Sequence, residues 1–143
     1  GSAAVQIDTG DARAVANAFM MGEKAELTWE GARFFLPKNK VKLLLNLLLI
    51  ANGSIPRGGN LSVTVEGDET NPSFTLKTSG PMLRVPARFL ELYSDSPDHE
   101  PIDAHSIQAY YALLLARETG MEIGLNVTPE AIIFTARQKP ATA

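Results

Sequence analysis

The sequence predicts an α+β fold, a two-layer sandwich in which helices cover one face of a mixed, mainly antiparallel sheet. Three observations lead there. Apolar residues alternate at period two in several short segments and recur at helical spacing in others. The two kinds follow one another as α-β-α-β-β-α-α-β-β, an order that pairs neighbouring strands through hairpins. A helix near the middle is apolar on nearly every side and requires cover on both faces. With 143 residues the chain suits a single domain, 1–143, long enough to bury most of the surface that its unfolded form exposes.

Asp8 and Thr9 precede the first helix, residues 11–21, where Ala12, Val15, Ala16 and Phe19 recur at helical spacing and Gly22 offers a stop. From Ala25 the pattern changes to period two: Ala25, Leu27 and Trp29 face one way, Glu26, Thr28 and Glu30 the other, and Gly31 ends the strand. Phe34, Phe35 and Leu36 lead into Pro37, whose missing N–H costs nothing in the first turn of a helix. That helix, residues 38–52, carries Val41, Leu44, Leu45 and Leu48 as one apolar stripe and Leu43, Leu47 and Ile50 as another. Gly53, Pro56, Gly58 and Gly59 make its exit loop. Leu61, Val63 and Val65 then alternate with polar residues, as do Phe74 and Leu76 after a turn at 67–72, which predicts an antiparallel hairpin.

Residues 85–93 read as a short helix with Pro86 near its first turn, and the acidic, breaker-rich 94–101 as a loop. Asp103 has the character of an N-cap, with Ile102 and Ile107 as a hydrophobic staple. The helix it opens runs to about Thr119, burying Ile107, Tyr110, Tyr111 and Leu114, and Gly120 supplies a left-handed stop. Strands at 121–127 and 131–136 complete the sheet, and 139–143 reads as a frayed tail. There is no internal repeat.

A formal net charge of −3 and a sequence pI near 5.4 leave no excess of positive charge to draw the chain onto nucleic acid or anionic lipid. A protein or a small ligand is the expected partner. The absence of cysteine removes disulfides, thiolate nucleophiles and thiolate metal sites, and fits a cytoplasmic setting. The longest apolar run, 43–51, is interrupted by Asn46 and falls well short of the roughly 20 residues of a membrane span. No secretory signal opens the chain.

The segment 39–59, NKVKLLLNLLLIANGSIPRGG, carries the most information. Its spacing resembles the nucleotide-site helix of sensor histidine kinases, roughly NLLxNA followed by a polar stretch and PxGG. Asn46, Leu47 and Leu48 supply the start, Ala51 the small residue, and Pro56, Arg57, Gly58 and Gly59 the exit turn. At the magnesium-ligand position stands Ile50, a hydrocarbon without a lone pair to offer. The adenine-reading aspartate of that superfamily is replaced by Thr78, and the second glycine after it by Met82, with Val85-Pro86 following a few residues later. The glycines that would open the long helix are replaced by Ala104, His105, Ser106 and Ile107, and 94–101 is a short substitute for the lid. Several losses in a matching frame predict a kinase-type fold, the Bergerat fold, without a working nucleotide site.

Other polar residues read as structural. Asn52, turned about 200° from Ile50 along the helix, is an exit-turn residue, and Asn46 a satisfied amide among leucines. His99 and Glu100 superficially match a phosphoaccepting pair, but Pro97 and Pro101 keep them out of a continuous helix. His105 falls in a first helical turn, where the dipole disfavours a proton. Trp29, Tyr110 and Tyr111 read as core, and Gly58-Gly59 as a turn. No nucleophile triad, histidine-rich metal spacing or phosphate-binding GxxxxGK[ST] loop occurs.

The stretches Ile7-Asp8-Thr9-Gly10, 36–47 (LPKNKVKLLLNL), Ile55-Pro56-Arg57-Gly58-Gly59 and Pro101-Ile102-Asp103-Ala104-His105 resemble the C-terminal domain of ChpT-type histidine phosphotransferases. The resemblance covers essentially the whole chain. It implies an ATP-independent phosphorelay between the receiver domain of a hybrid histidine kinase and the receivers of response regulators. In such proteins an N-terminal helical hairpin dimerises and carries the phosphoaccepting histidine, while the domain behind it serves as scaffold and partner surface. This chain begins where that hairpin would end. No catalytic, cofactor-binding or metal residue is therefore carried over to it, no cofactor is expected, and alone it should be a monomer unable to relay phosphate. Two alternatives remain: the ATP-binding catalytic domain of a histidine kinase, or an interaction domain outside phosphorelay.

Overall fold

The computed structural model describes residues 5–94, 104 and 106–140. Its elements are β1 (Gln6–Asp8), α1 (Thr9–Met20), β2 (Ala25–Gly31), β3 (Phe35–Pro37), α2 (Lys38–Gly53), β4 (Gly59–Glu66), β5 (Ser73–Ser79), α3 (Ala87–Tyr93), α4 (Ile107–Thr119), β6 (Met121–Val127) and β7 (Ile132–Gln138). The main sheet runs β2-β4-β5-β7-β6, with β2 parallel to β4 and every other pair antiparallel. The parallel pair follows from α2, which carries the chain back across the sheet between β2 and β4.

Alternation sorts the sheet into a core face and a polar face. Leu61, Val63 and Val65 of β4 stand opposite Thr78, Leu76 and Phe74 of β5, and these in turn opposite Ile132, Phe134 and Ala136 of β7, all buried. The intervening residues face away, where the hydroxyls of Thr28 and Ser62 meet at 3.2 Å. Trp29 of β2 joins the core face beside Val63, as expected. On that face α2 packs against β5 and β7, and its other side is covered by α4 and α1. Both of its stripes are therefore buried apart from half-buried Leu45, with Leu43, Leu44 and Leu47 completely inaccessible.

The neighbouring helices bury the stripes that periodicity suggested only in part. In α1 the buried residues are Thr9, Ala12, Ala16 and Met20, whereas Val15 and Phe19 are exposed. In α4 they are Ala109, Ala112, Leu115 and Ala116; Tyr111 and Leu114 are half-buried, and Ile107 and Tyr110 face solvent. The physical reason is the same in both. Alanine lets a helix axis approach α2 closely, and the larger side chains are left at the margin of the contact. The Asp103 cap and Ile102 lie outside the described residues. Gly120 does end α4 in the left-handed region, at φ 70°.

Two short strands, β1 and β3, form an antiparallel ribbon that pins the entering chain to the start of α2. Asp8 follows as the N-cap of α1, its carboxylate accepting from the Gly10 N–H at 2.7 Å, so the helix begins two residues before the predicted position. The Arg33 guanidinium on the same carboxylate, at 2.8 Å, together with that N–H holds Asp8 below the usual carboxylate range. At the start of α2, Pro37 supplies no side-chain cap, and Lys38, Lys40 and Lys42 fill the first turns without an acidic residue. The helix dipole disfavours the charges of the first turn, on Lys38 and Lys40, by a few tenths to about 1 kcal/mol each.

Leu44 is the residue on which α2 packing is tested. Truncation to alanine should cost about 2–5 kcal/mol, read as a lowered urea midpoint; an unchanged midpoint would contradict the packing described.

Candidate functional site

The C-terminal half of α2, the segment leading into α3, α3 itself and the first turn of α4 enclose a cavity of about 370 Å³. Its wall is hydrocarbon from Ile50, Val85, Pro86 and Phe89, with the polar heads of Arg84 and Arg88 also lining it. Local bonds fix these parts. The Arg84 N–H donates to the Ser54 carbonyl at 2.9 Å, tying the segment to the end of α2. Pro86, at φ −54°, stands at the start of α3, and Phe89 is held edge-on to Phe134 with centroids 5.4 Å apart. Arg88 pairs with Glu91 at 3.4 Å. Ile50 is 5% exposed.

The positions singled out in the sequence are only partly brought together. Ile50, Val85 and Pro86 share the cavity, as the kinase-like frame requires. Thr78 does not line it: fully buried in β5, its hydroxyl donates to the Ile132 carbonyl at 2.9 Å. Asn46 donates to the Lys42 carbonyl at 2.8 Å, a bond internal to α2, and Asn52 donates to the Glu23 carboxylate at 2.6 Å. Both amides are therefore engaged structurally, as expected. Gly58 and Gly59 adopt φ of 87° and 132°, and their backbone abuts that of Ser79 and Gly80 so closely that a Cβ on Gly59 would meet the Ser79 carbonyl. The glycine pair thus serves a backbone crossing. Met82 is 38% exposed, and Ser106 is buried at the start of α4. His99, Glu100 and His105 lie outside the described residues.

Chemically, the described lining offers guanidinium and amide donors above hydrocarbon, and no carboxylate, hydroxyl or imidazole. Among the described residues no cluster of three or more histidine, aspartate or glutamate side chains is placed to hold a metal ion. Nor is any described helix long and apolar enough to cross a membrane. Arg84 and Arg88 were missed in the sequence; their i, i+4 spacing around Pro86 is the signal that could have found them.

Residues 9–131 match the histidine phosphotransferase C-terminal domain family. The chain belongs to this family. It is 62% identical over 136 residues to the protein phosphotransferase ChpT of Brucella abortus (strain 2308), covering 95% of this chain and 65% of that protein. A 1.7 Å structure of a bacterial phosphotransferase superposes with a TM-score of 0.90 at 61% identity, over 95% of this chain and 66% of the other. The chain thus spans slightly less than two thirds of the relatives it matches. A mycobacterial sensor histidine kinase, MprB, matches with a TM-score of 0.68 at 11% identity, over 94% of this chain and 95% of the other. The catalytic domain of histidine kinase ThkA gives 0.64 at 12%, over 94% and 93%. The kinase likenesses establish the fold, an α+β sandwich of the histidine-kinase ATPase type.

The Thr78 hydroxyl gives a direct check on this end of the sheet. Thr78→Val, which keeps the shape and leaves the Ile132 carbonyl without that donor, should lower unfolding free energy by about 1–3 kcal/mol, measured in urea; Thr78→Ser should recover most of the loss. Equal stability of the valine variant and the wild type would show that the bond contributes nothing.

Proposed function

We propose that this domain is the scaffold and partner-binding part of an ATP-independent histidine phosphotransferase, acting in the cytoplasm. One observation carries the reading: in a member of the histidine phosphotransferase family, buried Ile50 presents hydrocarbon at the position where a kinase of this fold needs an oxygen ligand for magnesium. Its neighbours support it, since Thr78 spends its hydroxyl on the backbone and Gly58-Gly59 spend their freedom on a chain crossing. The site therefore acts as a pseudo-ATPase, keeping the architecture and not the chemistry.

The phosphoryl group is received by a histidine on a hairpin preceding this domain, which also makes the homodimer. The donor is an aspartyl phosphate on the receiver domain of a hybrid histidine kinase. A nitrogen of the imidazole attacks phosphorus, the P–O bond to the aspartate breaks, the carboxylate leaves, and the proton of the attacking imidazole passes to solvent. Transfer to the receiver of a response regulator runs the same exchange in reverse. Magnesium belongs to the receivers, whose carboxylates hold it.

The test is phosphotransfer from a radiolabelled receiver domain to the full-length protein, with the 143-residue chain as control. Label should appear on the full-length protein and not on the chain alone. Absence of label on the full-length protein, or label on the isolated chain, would overturn the proposal.

A further inference from the structure

The basic end of α2 lies where the chain enters the fold. The Val5 carbonyl accepts from the Lys38 N–H at 3.1 Å, and Gln6 pairs with Pro37 across the β1–β3 ribbon. Lys38 and Lys42 lie one turn apart on the same side of the helix, about 6 Å along its axis. They line a groove of about 460 Å³ with Val5, Asn39, Glu118 and Thr119.

Lys40 has a structural role. Its ammonium donates to the Gln138 side-chain carbonyl at 2.8 Å, and burial pushes its pKa down. The Gln138 amide in turn donates to the Thr119 and Gly120 carbonyls at 3.2 and 3.1 Å, closing the end of α4. Lys38 and Lys42 show no such use. Among the described residues no carboxylate forms an ion pair with either, although Glu118 lines the same groove. Lys38 stands in the first turn, at the positive end of the helix dipole, where folding alone would select against it.

We propose that Lys38 and Lys42 form a docking contact for the acidic, phosphate-bearing face of a receiver domain, an inference that rests on the function proposed above. Charge complementarity selects the occupant. A receiver that accepts phosphate gathers carboxylates around a magnesium ion and a phosphoryl group, and two ammonium groups one helical turn apart, without an ion pair among the described residues, match such a face. Placement agrees. The family is a C-terminal domain, so what precedes it in the longer relatives joins on the Val5 side, beside this groove. A polyanion such as duplex DNA fits less well, because the patch extends along barely one helical turn and the chain carries a net charge of −3.

The test uses the full-length protein and a purified receiver domain that accepts phosphate from it. Charge reversal, Lys38→Glu with Lys42→Glu, should weaken binding at least tenfold by calorimetry at low salt and flatten its salt dependence. The melting temperature should hold or rise, because acidic residues suit a helix start. Lys38→Arg with Lys42→Arg should restore binding, and the double glutamine variant should fall between. Undiminished binding by the reversal variant, while the wild type transfers phosphate normally, would overturn the inference alone. Failure of the wild type to transfer phosphate would overturn the proposed function and this inference with it. Loss in the variant of binding to duplex DNA or to phosphatidylglycerol vesicles, with receiver binding intact, would assign the patch to another partner and overturn the inference.

Discussion

A sixteen-residue helix whose leucines point in both directions persists in water only between two covers, and the arrangement of the domain follows from supplying them to α2. The sheet provides one through Leu76, Phe134 and their neighbours; α4 and α1 provide the other. Each fully buried leucine contributes on the order of 1.5–3 kcal/mol. That driving force sets the remaining choices. Strands β2 and β4 are parallel because α2 crosses between them, and α1 and α4 present alanines because only small residues allow a close approach to it.

The same burial shapes the kinase-like cavity. Ile50 belongs at once to the apolar stripe of α2 and to the cavity wall, so one residue extends the core and lines the cavity. Arg84, tied through its backbone to Ser54, and Phe89, seated on Phe134, hold the opposite wall against the helix and the sheet. The cavity persists as a feature of packing. At the other end of α2 the balance is reversed: Lys38 brings unfavourable charge to a helix start that the core does not require.

Most of the architecture was legible in the sequence, for identifiable reasons. Period-two alternation placed β2, β4 and β5, and the breakers around them set their ends. The double stripe of α2 announced its central position. The Ile50 and Thr78 substitutions stood out only because the surrounding frame, from Asn46 to Gly59, stayed in register. What stayed hidden depends on tertiary contact. Three-residue strands such as β1 and β3 carry too little pattern to declare themselves, and their pairing joins residues far apart in the chain. The α1 stripe was right at Ala12 and Ala16 and wrong at Val15 and Phe19, and in α4 hydrophobicity alone favours Ile107 and Tyr110 over Ala109 and Ala112, whereas close helix packing selects the smaller residues. Arg84 and Arg88 acquire a site only when α3 folds back against α2.

The central claim is that α2 keeps the kinase architecture while its site no longer takes nucleotide. Backbone amide chemical shifts of the isotope-labelled chain, followed as magnesium-ATP is raised to millimolar concentration, test this most directly. No saturable shift is expected at Ile50, Thr78, Arg84 or Arg88. A saturable shift centred on those residues, with a matching rise in melting temperature, would contradict it.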